Sequence, residues 1–302
     1  MAEKVTVEIE GRTLALSNLD KVLYPDTGFT KGEVIDYYAR IGPALIPHLR
    51  DRPLTVVRFP DGVEGKHFFE KNSPGHRPEW VRTVPIDVGS RGGRIEFAVC
   101  DDLPTLVWLA QLAAIELHPS LASAADYDRP SVLAFDLDPG EPATIVECCT
   151  VGVRIRDLFA ELGLEAFAKT SGSKGMQVYV PLNGELTYET TKPYSRAVAR
   201  ALENADPDLV TSQMTKSLRT GKVFVDWSQN TTTKTTVAVY SLRAREQPTA
   251  STPLAWDEVE ATASSGDPGS LRFTADQVLA RYEDRGDLFA PVLELRQELP
   301  SL

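Results

Sequence analysis

The segment that most constrains the fold of this chain is Ser131–Gly140, in which an apolar run leads into two aspartates. Side chains alternate between the two faces of a strand, so the i, i+2 spacing places Asp136 and Asp138 on one face and points Leu137 toward the core. The proline and glycine that follow predict a turn. A hard divalent cation such as Mg²⁺ or Mn²⁺ would relieve the repulsion between neighbouring carboxylates. The same motif occurs in solvated turns, and by itself it leaves both interpretations open.

A second motif, Thr170–Gly175, follows a short apolar run and precedes the strand-like segment Met176–Val180. Its glycines allow tight turns, its backbone N–H groups can form an anion-binding nest, and Lys174 adds positive charge. The spacing differs from that of a Walker A loop, and a strand follows instead of a helix. The motif therefore predicts a phosphate-binding loop of another type, with an ordinary connection between strands as the alternative.

A third motif, Lys222–Asn230, contains an apolar run that ends at Asp226. This pattern predicts a buried strand that ends in an acid. A buried carboxylate needs a partner, because burying an unpaired charge is costly. If Asp226 joined Asp136 and Asp138, the three carboxylates could hold two metal ions and support in-line phosphoryl or nucleotidyl transfer.

Taken together and in this order, the three motifs resemble the polymerase domain of bacterial ligase D. This is the non-homologous end-joining polymerase of the archaeo-eukaryotic primase superfamily, which includes stand-alone actinobacterial-type relatives. The resemblance runs from about residue 14 to about residue 290. It includes four further motifs, which are Asp20–Pro25, Phe68–Lys71, Met214–Arg219 and Tyr240–Arg243.

The resemblance implies an α+β (mixed α/β) primase-polymerase fold, in which helices flank a central, mostly antiparallel catalytic sheet and a second lobe lies at the N-terminus. We expect one catalytic domain over residues 1–302. Within it we expect an N-terminal lobe over about 1–125, the catalytic sheet over about 126–250 and a C-terminal helical segment over about 251–302. An active site between the two lobes would follow from this arrangement.

The resemblance also implies roles for individual residues. The catalytic residues would be Asp136, Asp138, Asp226 and His118, and the three aspartates would hold the metal ions. The nucleotide-binding residues would be Ser171, Ser173, Lys174, Gln177, Arg219, Lys222, Gln229 and Arg243. The 5′-phosphate of a DNA end would be bound by Asn18, Lys21 and Lys31, and template bases would stack on Phe68 and Phe69.

Three of these assignments carry a competing or modified expectation. His118 is predicted at the end of a helical run from Thr105 to Leu117, where a histidine can simply serve the helix dipole. One of Phe68 and Phe69 is expected in the core, because adjacent strand residues face opposite ways. Gln177 stands where the family often has a histidine, and glutamine carries neither a titratable proton nor a charge. The strength of triphosphate binding therefore stays open.

The charge distribution is uneven. The net charge of −11 argues against a generally basic nucleic-acid binder. Residues 210–245 nevertheless carry six bases and one acid, whereas residues 246–302 carry eleven acids and four bases. This pattern predicts a local basic channel on an acidic protein, with weak and salt-sensitive DNA binding.

The cellular context is predicted from the cysteines and from hydrophobicity. Cys100, Cys148 and Cys149 have no metal-ligand spacing and suit reduced cytosolic thiols. The sequence shows no signal-peptide pattern and no apolar run near the ~20 residues of a membrane span. We therefore expect a cytoplasmic protein without a membrane partner, associated with the nucleoid when it binds DNA.

Periodicity and turn residues predict the secondary structure. We expect a hairpin over 5–16 with its turn at Gly11–Arg12, and a capping box at Thr30–Glu33. Further strands are expected at Leu54–Arg58, His67–Lys71 and Arg94–Cys100, and helices at about Leu106–Leu117, Ala143–Leu162, Pro193–Asn204 and Thr274–Asp284. Residues 246–272 are expected to form a surface connection. The glycine-rich segment Asp87–Arg94 is predicted to be a mobile basic loop, with an inert hairpin tip as the alternative.

The expected function is that of a DNA-directed nucleotidyltransferase acting at gaps or broken ends. The resemblance implies nucleoside triphosphate substrates with ribonucleotides preferred, two Mn²⁺ (or Mg²⁺) ions, and DNA with 5′-phosphorylated ends or gaps. A Ku-type end binder and an ATP-dependent DNA ligase are the expected protein partners. Two alternatives remain: another Asp-x-Asp metal-dependent transferase that uses a nucleotide, and a non-catalytic module that binds or bridges DNA ends.

Overall fold

The computed structural model describes residues 4–87 and 93–301 and confirms a mixed α/β fold. In chain order the strands are β1 (Lys4–Ile9), β2 (Arg12–Ser17), β3 (Val22–Tyr24), β4 (Phe29–Thr30), β5 (Leu54–Arg58), β6 (Phe68–Glu70), β7 (Thr83–Asp87), β8 (Arg94–Ala98), β9 (Ala114–Pro119), β10 (Val132–Pro139), β11 (Phe167–Thr170), β12 (Met176–Pro181), β13 (Val210–Thr211), β14 (Val223–Asp226) and β15 (Pro253–Leu254). The helices are α1 (Lys31–Leu49), α2 (Leu103–Gln111), α3 (Ile145–Glu161), α4 (Tyr188–Ala205), α5 (Trp256–Ser265), α6 (Ala275–Arg285) and α7 (Pro291–Glu294), with 3₁₀ turns at Lys216–Leu218 and Trp227–Gln229. None of the helices in this part of the chain has the length and hydrophobicity needed to cross a membrane.

The described residues form two compact units, each assembled from separate stretches of the chain. The first unit takes its residues from 1–120, 235–250 and 274–286, and the second from 121–234, 251–273 and 287–302. The division near residues 125 and 250 that the resemblance implied stays a prediction. The predicted loop around 87–94 falls on residues 88–92, which lie outside the described residues.

A six-stranded sheet organises the second unit, in the order β13-β14-β10-β12-β11-β15. Each neighbouring pair is antiparallel except β13 and β14, which are parallel. The expectation of a mostly antiparallel sheet is therefore confirmed. The central strand β10 lies between β14 and β12, so its side chains have neighbours on both sides.

Alternation along β10 separates an apolar face from an acidic one. Leu133, Phe135 and Leu137 are fully buried in the core, where the Phe135 ring lies 5.8 Å from that of Phe159 on α3. Burying one large apolar side chain contributes roughly 1.5–3 kcal/mol. Residues two apart on a strand share a face, so this burial places Asp136 and Asp138 together on the opposite face of the sheet.

Capping residues set the limits of α3 close to those predicted. Thr144 is the N-cap, and Glu147 completes a capping box by accepting hydrogen bonds from the Thr144 backbone and hydroxyl. The helix ends before Gly163, whose φ of +75° lies in the left-handed region that favours glycine.

Two expectations in the second unit are wrong. Helix α4 begins at Tyr188, before the predicted start at Pro193, because Tyr188 and Thr191 continue its buried face through a proline that removes only one helical donor. Residues 246–272 are not simply a connection, since they contain β15 and α5. Helix α5 buries Val259 and ends at Ser265, with Gly266 as its C-cap, and its polar composition hid this short apolar face from the sequence pattern.

The first unit contains a five-stranded sheet with the order β6-β5-β8-β7, in which β9 also pairs with β5. The predicted helix around 106–117 is wrong in its second half. Helix α2 ends at Gln111, the chain turns at Ala113 with a φ of +57°, and β9 then runs antiparallel to β5. His118 is therefore a strand residue opposite Thr55, not a helix terminus. The apolar run continues through both elements, so periodicity did not separate them.

Helix α1 begins at the predicted capping box, since Thr30 and Glu33 satisfy each other's backbone N–H groups. The N-terminal hairpin is also confirmed, but its turn lies one residue earlier than predicted. Arg12 already pairs with Ile9, so the turn residues are Glu10 and Gly11, both with positive φ.

The tight approach between the loop before β12 and strand β10 leads to the first prediction. A Cβ on Gly175 would overlap the carbonyl oxygen of Leu137 and lie 3.1 Å from Cδ of Pro139. Backbone atoms cannot move aside cheaply, so Gly175→Ala should destabilise the protein by about 1–3 kcal/mol. Gly184→Ala is the matched control, because its nearest atom would be the Leu182 oxygen at 3.5 Å. Equal thermal unfolding temperatures for the two variants would contradict this packing.

Candidate active site

Strand register brings the three predicted acids together on one face of the six-stranded sheet. Asp136 on β10 lies directly opposite Asp226 on β14 and opposite Gln177 on β12. Asp138 follows two positions along β10 and is exposed, whereas Asp226 is buried. The register therefore places the three aspartates on one face of the sheet, and their role as metal ligands stays a prediction.

The surroundings of Asp136 change the pKa of its carboxyl group. Burial and the negative charge of Asp138, and then that of Asp226, raise the pKa of Asp136 to about 7. The Nε2 group of Gln177 donates a hydrogen bond of 3.0 Å to Asp136 Oδ1 and opposes the rise. Like charges held this close favour a cation between them.

Asp226 is held by its own local partners. Its Oδ1 accepts hydrogen bonds from the backbone N–H of Ser228 at 2.9 Å and from the Ser228 hydroxyl, and its Oδ2 accepts one from Gln229 Nε2 at 2.8 Å. The ammonium of Lys234 lies 3.5 Å from Asp226 Oδ2 and also contacts the Ser228 hydroxyl. Lys234, which no motif singled out, thus supplies positive charge to the third acid.

The residues at this face suit a hard divalent cation in part. Within residues 4–87 and 93–301, no three or more His, Cys, Asp or Glu side chains are grouped so that they could hold a metal ion. The carboxylates of Asp136 and Asp138 are nevertheless the oxygen donors that Mg²⁺ and Mn²⁺ prefer, and burial, followed by the charge of Asp138, raises the pKa of Asp136. These two residues would hold such an ion, whereas Asp226 is engaged with Lys234.

The predicted phosphate-binding loop connects the antiparallel strands β11 and β12. The Ser171 hydroxyl oxygen accepts hydrogen bonds from the N–H groups of Ser173 and Gly175, both at 3.2 Å, so it shapes the loop. Lys174 projects outward and forms a 2.7 Å ion pair with Glu141, in which the two side chains are 71% and 82% exposed. An ion pair that exposed contributes little to stability, so little free energy holds Lys174 against Glu141.

Gln177 lies beside the acids. Its side chain is only 3% exposed, and its Oε1 has no hydrogen-bond partner among the described residues. A buried acceptor without a donor is costly, so Gln177 is not explained by packing alone.

The other predicted nucleotide-binding residues of this unit surround β14. Gln229 donates to Asp226, the Arg219 guanidinium lies 3.7 Å from the ring centre of Phe224, and Lys222 donates to the Pro207 carbonyl. Of these three residues, only Gln229 contacts an acid of the site directly. The side chains of Arg219 and Lys222 are held by other neighbouring groups.

In the first unit, a buried carboxylate joins His118 and Arg243. His118 Nε2 lies 3.0 Å from Glu116 Oε2, and Glu116 Oε1 accepts from Arg243 Nε and from the Ala244 N–H, both at 3.1 Å. Burial alone would raise the pKa of Glu116, but His118, Arg243 and the Ala244 N–H lower it to about 2. Sequence reasoning missed Glu116, although an acid within an apolar run, two positions before a candidate histidine, was a usable signal.

Phe68 and Phe69 are both exposed, by 46% and 58%. The expectation that one of them lies in the core is wrong, because β6 is a three-residue strand at the edge of its sheet and does not bury either face. The ring of Phe69 lies 6.3 Å from that of His118, and the ammonium of Lys66 lies 5.6 Å from the ring of Phe68.

The three predicted phosphate-binding residues lie around the start of α1. Asn18 has a φ of +56° and its carbonyl accepts from the Lys21 N–H, while the Lys21 side chain pairs with Asp61 at 3.1 Å. Lys31 is buried and donates to the Ser17 carbonyl. Burial and the charge of Lys21 lower the pKa of Lys31 to about 8, so an anion here would relieve the repulsion.

The turn that carries Asp226 depends on Asn230, and this dependence gives the second prediction. The fully buried Asn230 side chain accepts from the Ala134 N–H at 2.9 Å and donates to the carbonyls of Ala134 and Trp227. Asn230→Ala would remove the side-chain partner of the buried Ala134 N–H and carbonyl, at about 1–3 kcal/mol for each group. We expect a lower free energy of unfolding in chemical denaturation. The half-buried Gln297, which accepts from the Glu165 N–H and donates to the carbonyls of Glu165 and Pro181, provides the control Gln297→Ala with a smaller loss.

The third prediction concerns the pH dependence of Glu116. Its pKa falls from the ordinary 4.5 to about 2 on folding, so its ionisation stabilises the folded state above pH 4.5 and this contribution is lost as the pH falls toward 2. The size of the shift corresponds to roughly 3 kcal/mol. The free energies of unfolding of the unmutated protein and of Glu116→Gln should therefore differ most near pH 6 and become equal near pH 2. A difference that is constant with pH would contradict this prediction.

Known proteins are similar to this chain over most of its length. A family model described as LigD, primase-polymerase domain, matches residues 30–289. The multifunctional non-homologous end joining protein LigD of Mycolicibacterium smegmatis is 43% identical over 279 residues, which cover 92% of this chain and 36% of that protein. The bifunctional non-homologous end joining protein LigD of Bacillus subtilis is 31% identical over 288 residues, which cover 95% of this chain and 45% of that protein.

A solved structure matches at the level of the fold. The polymerase domain from Mycobacterium tuberculosis ligase D, in complex with DNA, superposes with a TM-score of 0.86 at 39% identity, covering 94% of this chain and 99% of that one. This chain spans little more than a third of the mycobacterial relatives that it matches. The chain belongs to the LigD primase-polymerase domain family, whose members are nucleotidyltransferases of the primase-polymerase type.

Proposed function

We propose that this protein is a DNA-directed polymerase that adds nucleotides to 3′ ends during gap filling or end-joining repair. The observation that carries the proposal is that Asp136, Asp138 and Asp226 lie on one sheet face, where burial and then the charges of Asp138 and Asp226 raise the pKa of Asp136 to about 7. Carboxylates in this arrangement support nucleotidyl transfer with two divalent cations. Ribonucleotides and Mn²⁺ are the preferred substrate and metal in this proposal.

Residues of the second unit would act on the nucleotide. Divalent cations, when bound, activate the primer 3′-hydroxyl and stabilise the leaving pyrophosphate. Asp136 and Asp138 would hold them in their ionised forms, and Asp226 would join after Lys234 moves away. Lys174 would exchange Glu141 for the triphosphate, while Ser171 keeps the loop N–H groups in place and Ser173 donates its hydroxyl.

Residues of the first unit would act on DNA. The exposed rings of Phe68 and Phe69 suit stacking on template bases, which tolerates any sequence. Lys21 and Lys31, with Asn18 at the start of α1, suit the 5′-phosphate of a DNA end. His118 and Arg243 would contact the nucleotide or template. The curated relatives are named as end-joining proteins, so a Ku-type end binder and an ATP-dependent ligase are the proposed partners.

A second candidate function is a DNA-end binding module without turnover. Two observations favour it: Asp226 is engaged by Lys234, and no complete three-ligand metal group forms among the described residues. The same protein would then bind 5′-phosphorylated ends and would not extend primers.

Primer extension on a gapped duplex with a 5′-phosphate tests both candidates and is the fourth prediction. We expect extension, faster with ribonucleotides and Mn²⁺ than with deoxynucleotides and Mg²⁺. Asp136→Ala and Asp226→Ala should each reduce the rate by at least about 100-fold, the scale of one preorganised electrostatic contact. Asp208→Ala, at an exposed acid of the same unit, should extend normally.

Each other outcome has a definite meaning. Binding to 5′-phosphorylated ends without extension would favour the end-binding module. Nucleotide transfer that needs no DNA would favour another Asp-x-Asp transferase.

A further inference from the structure

Glu116 is a buried carboxylate for which the proposed function has no direct use. It lies in the middle of β9, and its side chain contacts His118, Arg243 and the Ala244 N–H. The two side chains that it contacts are both candidates for the site. Apolar residues of similar volume often stabilise a fold as well as a buried ion pair does, or better. Stability alone is therefore a weak reason for a carboxylate at this position.

The contact with Glu116 decides where His118 carries its proton. Glu116 is ionised at neutral pH, since its pKa is about 2, and an ionised carboxylate can only accept hydrogen bonds. The 3.0 Å contact therefore requires a proton on His118 Nε2. A carboxylate that fixes the tautomer and the ring orientation of a histidine is a recurring feature of functional sites.

The same carboxylate directs Arg243. Glu116 Oε1 accepts from Arg243 Nε, so one edge of the planar guanidinium is held against the strand. The Arg243 backbone is anchored as well, since its carbonyl accepts from the Tyr24 hydroxyl at 3.0 Å and its N–H donates to the Thr249 carbonyl at 2.8 Å. Backbone and side chain are thus fixed by separate groups.

We propose that Glu116 is a positioning residue that orients His118 and Arg243 for nucleotide transfer. This inference rests on the proposed function, because it assigns Glu116 a role through two residues of that site. Glu116 itself touches neither substrate nor metal in this proposal. Its removal should therefore impair the reaction while leaving the acids of the second unit unaffected.

The test compares Glu116→Gln with a matched control. The side chain of Asp101 also accepts from an arginine Nε, that of Arg82 at 2.7 Å, and from a backbone N–H, that of Asp51 at 2.7 Å. Asp101→Asn thus removes the same kind of charge from the same unit. We expect Glu116→Gln to lower kcat/KM for primer extension by about 10–100-fold, by analogy with the loss when the hydrogen-bond partner that orients a metal-ligating histidine is removed. The kcat/KM of Asp101→Asn should stay within about twofold of that of the unmutated protein, because substitutions away from a functional site have small effects.

Two further measurements separate positioning from general destabilisation. In a double-mutant cycle, Glu116→Gln should reduce activity much less in a His118→Ala background than in the unmutated protein. The reason is that the imidazole that Glu116 orients is already absent. Nitrogen-15 imidazole spectra are practical because the chain has four histidines. In the unmutated protein His118 should carry a proton on Nε2, and in Glu116→Gln its signals should shift or broaden.

The outcomes distinguish this inference from the proposed function. Absence of extension by the unmutated protein would overturn the proposed function, and the spectra would still report whether Glu116 fixes the tautomer. Normal extension with equal losses in Glu116→Gln and Asp101→Asn would overturn the positioning role. A His118 proton on Nδ1 alone would also overturn it, and this measurement needs no variant that could fail to fold.

Discussion

The pairing register of β10 is the constraint on which the site depends. Leu133, Phe135 and Leu137 are fully buried on one face, so the aspartates must occupy the other. A slip of one residue would turn the whole apolar set outward, and this penalty holds the register. The register in turn places Asp136 opposite Asp226 and Gln177. Hydrophobic burial on one face thus determines the chemistry of the other.

That arrangement holds like charges together, and the sheet compensates for them with fixed polar groups. Gln177 donates to Asp136, and Lys234 lies against Asp226. Lys169, fully buried on the neighbouring strand β11, donates to the Ser251 hydroxyl, and its charge lowers the pKa of Asp136. The pKa of Asp136 nevertheless remains near 7, so compensation is incomplete. A site of this kind favours a further cation over an empty state.

Agreement between sequence and structure was best where short-range chemistry decides the outcome. The capping box at Thr30, the end of α3 before Gly163, the end of β10 at Pro139 and the end of β14 at Asp226 all follow from local preferences. Agreement failed where packing decides. The apolar run after Thr105 divides into a helix and a strand because the sheet of the first unit recruits its second half. Phe69 is exposed because β6 lies at a sheet edge, which alternation cannot reveal.

The sequence by itself determined which residues are candidates for the chemistry. Ordered motifs contain the three aspartates, the Ser171–Gly175 loop and the aromatic pair, and their residue types define which ligands they can bind. Only the tertiary structure decided how these groups are paired and protonated. The contacts of Glu116 with Arg243 and of Lys234 with Asp226 depend on side chains that meet across strands and turns, as does the lack of a partner for the Gln177 oxygen among the described residues. Such contacts arise from register and burial, which no single stretch of sequence encodes.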